Sequence, residues 1–325
     1  MDSVQYTGIT VAGTVIVDKI NEISAYPACG ELTQIRSVHP SVGGCVPNVA
    51  LDLKQISPDM PVRAVGTIGS DEEGAFIRQT LESSGVDTRG LTVLEEEKTS
   101  FTEVMSIPGG QRTFFTYAGA SGQFGAEHVP FDKIDPKLLH LGYFLLLSRV
   151  DEGEGIKILK EAKARGIETS IDLVSENSDR YPLVRPCLAY TDYLIVNEFE
   201  AGKLADLEPT AENLPAITQK LMDMGVQKMV VIHMPEKAVC RSKNGYFTLG
   251  SHILPEGFIQ GTTGAGDAFC AGALLGIYNG WSEEEILEFA SCSAVMALRR
   301  PDATSGLQDA EMTRAFCKDF NRRKI

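Results

Sequence analysis

Gly261-Thr262-Thr263-Gly264-Ala265-Gly266-Asp267-Ala268-Phe269-Cys270-Ala271-Gly272-Ala273-Leu274-Leu275-Gly276-Ile277 opens with small residues and runs on as an apolar helical pattern that stops near Asn279-Gly280. Small residues let the backbone come close to a ligand. The unpaired N–H groups at the start of such a helix, with the positive end of its dipole, favour a phosphate or a developing oxyanion. The same field favours an ionised Asp267. A carboxylate beside a cradle of amides is the pairing that phosphoryl transfer needs. The same residues also suit a glycine-rich turn leading into a packing helix, with Asp267 as a capping group. The stretch lacks the lysine of a Walker A loop and the spacing of a dinucleotide fingerprint, and neither motif occurs elsewhere in the chain.

Outward from this segment the chain alternates between strand and helix patterns. Gly8 to Val17 is a short β-branched run ending at Asp18, which predicts a buried strand with Asp18 at its end. Gly43-Gly44-Cys45-Val46-Pro47-Asn48 predicts a loop leading into a helix, with Pro47 in its first turn. Val62 to Gly69 reads as a strand, and Asp71 opens a helix whose apolar positions Phe76, Ile77 and Leu81 precede Gly85. Thr99–Ile107 and Arg112–Tyr117 read as strands joined by a turn at Pro108-Gly109-Gly110. From Leu138 the alternation resumes: an apolar run to Leu147, a helix near 152–165, strands at 166–173, 193–197 and 228–233, and a hairpin at Asn244-Gly245. Such alternation implies an α/β fold with a mostly parallel sheet covered on both faces. Ligands collect at the carboxyl ends of its strands, where Asp18, Asp172 and Asn197 are expected.

With 325 residues, 43% of them hydrophobic and 23% charged, the chain has the composition of a globular protein of one large domain or two ordinary ones. A formal charge of -14 argues against duplex nucleic acid or an anionic membrane as main partner. No stretch approaches 18 uncharged apolar residues and the N-terminus has no basic start, so the expected location is the cytoplasm. Seven cysteines without C-x-x-C pairs read as reduced, mostly buried thiols, and five scattered histidines suggest no metal cluster.

The chain resembles the ribokinase/PfkB family of carbohydrate kinases, whose signature D-T-x-G-A-G-D-x-F is matched from Thr262 to Phe269. A Gly-Gly pair followed by an asparagine at a helix start is matched by Gly43, Gly44 and Asn48, and N-x-x-E after a strand by Asn197 and Glu200. The resemblance spans nearly the whole chain. It implies a single domain, a three-layer α/β/α body with a small β lid at about 13–40 and 98–125, often used for dimerisation. It also implies transfer of the ATP γ-phosphate to a hydroxyl of a sugar or similar alcohol. On this reading Asp267 is the catalytic base, with Gly264, Ala265 and Gly266 forming the anion hole. Asp18, Gly43, Gly44 and Asn48 contact substrate hydroxyls. Asn197 and Glu200 organise Mg²⁺ and the phosphates through water, with no direct protein ligand to the metal, and Thr262 and His233 lie by the nucleotide.

Each role has a plainer alternative. Asp18 would merely end a strand, Gly43-Gly44 would merely start a helix, and Asn197 would cap the helix that Glu200 joins. Asp172 reads as a solvated strand-end carboxylate, His233 as a structural histidine, and Arg112 as a solvated hairpin arginine that could otherwise meet an anionic substrate group. Ser282-Glu283-Glu284-Glu285 is a capping box. Phe114, Phe115 and Tyr117 suit either stacking on a nucleoside or packing in a strand, which leaves a nucleoside kinase beside a sugar kinase. Two departures stand out. Gly261 replaces the aspartate that helps the family bind an activating monovalent cation, leaving potassium dependence open. His233-Met234-Pro235 replaces the usual T-x-G, and Pro235 has no N–H to donate to a nucleotide. These departures also leave room for a metabolite-binding regulator that has lost turnover.

Overall fold

The computed structural model describes residues 7–107 and 111–325, so the turn expected at Pro108-Gly109-Gly110 lies outside the described residues. Where one strand was expected after Gly8 there are two. β1 (Ile9–Gly13) is fully buried, and the chain leaves its sheet at Gly13, whose φ of 134° and close approach to the Gly142 carbonyl oxygen exclude a side chain. β2 (Ile16–Ile23) then pairs in a second sheet. Asp18 therefore lies inside β2, opposite Ser41 and Thr102, and not at the end of a central strand.

The remaining elements follow the expected alternation. β3 (Ile35–Gly43) leads into α1 (Cys45–Ile56), and β4 (Val62–Gly69) into α2 (Glu72–Ser83), which Asp71 caps through the Gly74 N–H. β5 (Asp87–Leu94), β6 (Ser100–Ser106), β7 (Arg112–Tyr117) and the short α3 (Gly119–Gly122) come next. Then follow β8 (Leu138–Phe144), α4 (Gly155–Ala164), β9 (Glu168–Leu173), β10 (Tyr193–Asn197), α5 (Glu198–Ala205), α6 (Leu214–Asp223) and β11 (Met229–His233). The hairpin β12 (Lys237–Ser242) and β13 (Gly245–Gly250) precedes α7 (Ala265–Asn279), α8 (Glu283–Ala297) and α9 (Ala310–Cys317).

Among the described residues, nine strands form one sheet in the order β13-β12-β11-β10-β9-β8-β1-β4-β5, parallel except where β12 and β13 return antiparallel. Its residues alternate between two apolar layers. Ile195 and Val231 pack toward α1, α7 and α8, whereas Leu194, Val196, Val230 and Ile232 pack toward α4, α5 and α6. Burial of both faces is why these strands read as continuous apolar runs. The second sheet has the order β3-β2-β6-β7 and flanks the carboxyl end of β1. Asp18, Thr102 and Thr116 share one of its faces by register, with Phe114 and Arg112 two and four residues back along β7.

All seven cysteines are free, and all but Cys29 are buried. Histidines and cysteines that are scattered in the sequence are brought together by the fold. His252, Cys292 and Cys317 are distant in sequence yet converge in space, because the segment after β13 crosses α8 and the end of α9. No described helix is long and apolar enough to cross a membrane.

Candidate active site

α7 begins where Gly264 adopts φ 77° as its N-cap, with the Ala303 backbone packed where a side chain would go. Asp267 is the third residue of that helix and is 6% exposed. It does not cap the helix. Its Oδ2 accepts a hydrogen bond from Asn48 Nδ2 at 2.9 Å, and both its oxygens stand 3.0 Å from the Tyr143 hydroxyl, which donates to them. Burial pushes its carboxyl up to about 7, with the charges of Asp172 and Asp18 adding to the rise and the Asn48 and Tyr143 donors opposing it. The group is thus poised to exchange a proton near neutrality.

Asn48 reaches Asp267 from the first turns of α1, and its Oδ1 is buried with no partner among the described residues. Asp18 comes in from the small sheet, its carboxyl raised to about 6 by burial. Gly43 is required by this arrangement, because a Cβ there would fall on the Asp18 carboxylate. Gly44 holds φ 84° as the N-cap of α1, and its carbonyl accepts the Asn48 N–H at 3.2 Å.

Two adjoining cavities meet at the start of α7. The larger, about 620 Å³, is walled mostly by apolar groups such as Pro235, Ile259, Phe269 and Leu298, and Thr262 and Ala265 reach it. The smaller, about 190 Å³, is polar and contains Asp172, Ser175, Glu200, Gly264 and Asp267. Asn197, His233 and Gly266 line both. Gly266 leaves the helix start open toward His233, whose ring would otherwise lie in ordinary contact with a Cβ. The first-turn amides of α7 have no intrahelical partners, although the Ala265 N–H is turned to the Thr262 carbonyl at 3.3 Å.

Asn197 and Glu200 form a closed capping box: Asn197 Oδ1 accepts the Glu200 N–H at 2.9 Å, and Glu200 Oε2 accepts the Asn197 N–H at 3.0 Å. Glu200 Oε1 also accepts from Ser175 Oγ at 2.8 Å, and burial lifts the carboxyl to about 7. His233 stacks on Phe269 at 4.8 Å between centroids, and burial lowers its pKa to about 4, so the ring is neutral. Met234 turns its N–H onto the Lys237 carbonyl at 3.0 Å, which places Pro235 in the cavity wall. At Gly261 a Cβ would lie 2.8 Å from the Arg300 carbonyl oxygen and 2.9 Å from Pro301 Cα, so the space for an acidic side chain is filled by backbone.

Tyr143 was not singled out by sequence reasoning. It is an aromatic in an apolar run, and its signal is the Gly142-Tyr143 break at the end of β8. The break is real: Tyr143 has φ 61°, a left-handed conformation uncommon for a non-glycine residue, held by its N–H donating to Asp172 Oδ1 at 2.5 Å. Asp172 is therefore no solvated strand-end group. It is 7% exposed and also faces His140 Nε2 at 3.4 Å. Arg112 spans from the small sheet to Thr263 Oγ1 at 3.2 Å, joining that sheet to the loop before α7.

A three-layer α/β body with a buried carboxylate at a glycine-rich helix start and a second sheet over it defines a class of small-molecule kinase folds. The sequence profile of the pfkB family carbohydrate kinases matches residues 9–310, and the chain belongs to that family. Ribokinase of Arabidopsis thaliana is 25% identical over 304 residues, 93% of this chain and 78% of the relative. Ribokinase of Schizosaccharomyces pombe is 27% identical over 307 residues, 91% of this chain and 94% of the relative. The structure of Arabidopsis thaliana ribokinase with ribose and ATP superposes with a TM-score of 0.83 at 24% identity, covering 97% of this chain and 99% of that one.

Proposed function

We propose that this carbohydrate kinase transfers the γ-phosphoryl group of ATP to a hydroxyl of a ribose- or fructose-like sugar, with Asp267 as the base. The observation that carries the reading is the Asp267 carboxyl, buried, raised to about 7, and set between the polar cavity and the first-turn amides of α7. Ionised Asp267 takes the proton of the substrate hydroxyl as that oxygen bonds to the γ-phosphorus, and the bond to the ADP oxygen breaks. Amides of Gly264 and Gly266 stabilise the charge on the phosphoryl oxygens. Asp18 and the free Oδ1 of Asn48 accept hydrogen bonds from other sugar hydroxyls. The large cavity lies within the range of about 300–1,000 Å³ usual for ligand pockets and suits the nucleoside part of ATP, with His233 and Pro235 as apolar wall. Asp172, Glu200, Asn197 and Ser175 give the small cavity hard oxygen donors that fit Mg²⁺. Bound there, the ion neutralises phosphate charge. The closed capping box argues that Glu200 acts on it through water.

The test is an ATP-consumption screen over pentoses, hexoses, sugar acids, sugar phosphates and nucleosides, followed by Asp267→Asn with the accepted substrate. The variant should bind that substrate but lose phosphate transfer by at least about 10²-fold. Unchanged turnover would remove Asp267 from this role. A nucleoside acceptor is the second reading, favoured by Phe114, which shares the Asp18 face of the small sheet and is 62% exposed. The small sheet would act as a lid, tied shut by the contact of Arg112 with Thr263. Its exposed Phe115, Tyr117 and Val38 support a homodimer through this sheet, which Phe115→Glu would reduce to monomer in light scattering.

A further inference from the structure

We propose that His252, Cys292 and Cys317 form a binding site for a thiophilic d¹⁰ cation of the zinc(II) type, separate from the magnesium and phosphate chemistry. The three come from three parts of the chain: the segment after β13, the interior of α8 and the last residue of α9. Each is buried, at 5%, 1% and 3% exposure. One ligand atom from each lies within 4.8 Å of the others. Zinc bonds of about 2.0–2.3 Å set tetrahedral ligands roughly 3.5–4 Å apart, so metal binding needs a contraction on the order of 1 Å at most.

The histidine supplies an independent pointer. Among the described residues, His252 Nδ1 is buried with no hydrogen-bond partner. A buried ring nitrogen in that state is costly unless something occupies it. The other buried group of this kind, Cys45, His140 and Asp172, differs in this respect. There His140 Nδ1 meets Ser170 Oγ at 3.1 Å and Nε2 faces Asp172 at 3.4 Å, so both ring nitrogens are in use.

The surroundings select the ion. Leu254, Phe258, Val295 and Phe316 enclose the thiols, an apolar shell that tolerates little net charge. Two thiolates and a neutral imidazole cancel the charge of a divalent ion, and the Arg299 guanidinium, 4.5 Å over the Phe316 ring, brings a further positive charge toward the Cys317 thiolate. Binding releases the two thiol protons to solvent. Three protein ligands leave a fourth position for water, and His252 also lines the large cavity. A bound ion would fasten the chain end where His252 bridges to Arg322 and the Ile253 N–H donates to the Asn321 carbonyl at 2.7 Å.

The decisive experiment is anaerobic titration of the tag-free, chelator-stripped 325-residue chain with cobalt(II). A thiolate-to-cobalt charge-transfer band should grow to saturation at one ion per chain and be displaced by zinc. Cys292→Ser and Cys317→Ser should lose the band, whereas Cys187→Ser should keep it. The wild-type titration stands even if a variant misfolds. A folded wild-type chain that yields no saturable band overturns the site. So does a band retained in both serine variants, or a Cys292–Cys317 disulfide in the freshly isolated protein.

Discussion

Tyr143→Phe removes one hydroxyl and keeps the ring, so it isolates a single donor to Asp267. The Tyr143 hydroxyl stands 3.0 Å from both carboxylate oxygens and stabilises the ionised form against the dominant effect of burial. A hydrogen bond to a charged group contributes about 1.5–3 kcal/mol. At about 1.4 kcal/mol per pH unit, its loss should raise the Asp267 pKa by about 1–2 units above the starting value of about 7. With Asp267 as the proposed base, only its ionised form would accept the substrate proton, so the acid limb of kcat/KM should move up by the same amount. At about pH 7.5 the ionised fraction would drop from roughly three quarters to between about a quarter and about 3%, a loss of about 3- to 25-fold. The assay is kcat/KM against pH with the substrate from the ATP-consumption screen, and near pH 9.5 the variant should recover most of the wild-type value. A loss that is equal at every pH, or an acid limb that stays in place in a folded variant, would refute the coupling of Tyr143 to proton transfer.

Asp267→Asn should raise Tm more at about pH 8 than at about pH 5. The folded carboxyl titrates near 7 and the unfolded one near 4, so the native state holds the extra proton between them and stability falls as pH rises through that window. Gly43→Ala should lower kcat/KM about tenfold or more while the protein stays folded, because the new methyl displaces the Asp18 carboxylate; unchanged kinetics would detach Asp18 from the substrate. Replacing potassium with sodium should leave turnover unchanged, since Gly261 offers no carboxylate. Gly261→Asp should destabilise by about 1–3 kcal/mol, measured by chemical denaturation, because its side chain meets the Arg300–Pro301 backbone.

Strand and helix periodicity made the large sheet legible, since both its faces are buried and its strands read as apolar runs. Periodicity cannot say when a chain changes sheet. Gly8 to Val17 is one apolar run, yet Gly13 and Thr14 divide it, and Asp18 was misplaced as a result. Asp267, Gly43 and Asn48 were legible from their spacing in a known pattern. Tyr143 and Asp172 were not, because their roles arise from a left-handed backbone at one residue and a carboxylate holding it from the next strand. The His252, Cys292 and Cys317 group was hidden because ligands that converge through tertiary packing leave no local spacing to read.

The two departures from the family pattern bear on whether the protein turns over, and both lie away from the proton-transfer group. At Gly261 the space for a side chain is filled by the Arg300–Pro301 backbone, a packed replacement and not a hole. At Pro235 the missing N–H leaves nothing stranded, because the turn is closed by Met234 to Lys237 and the ring adds apolar wall to the large cavity. Keeping a carboxylate buried at 6% exposure costs stability, since the ionised form weakens the fold near neutral pH. On the proposed mechanism, proton transfer offsets the stability cost of keeping Asp267, its two donors and the neighbouring Asp18 together. On that mechanism the departures should appear in cation dependence and in the KM for ATP, while Asp267→Asn should act on kcat.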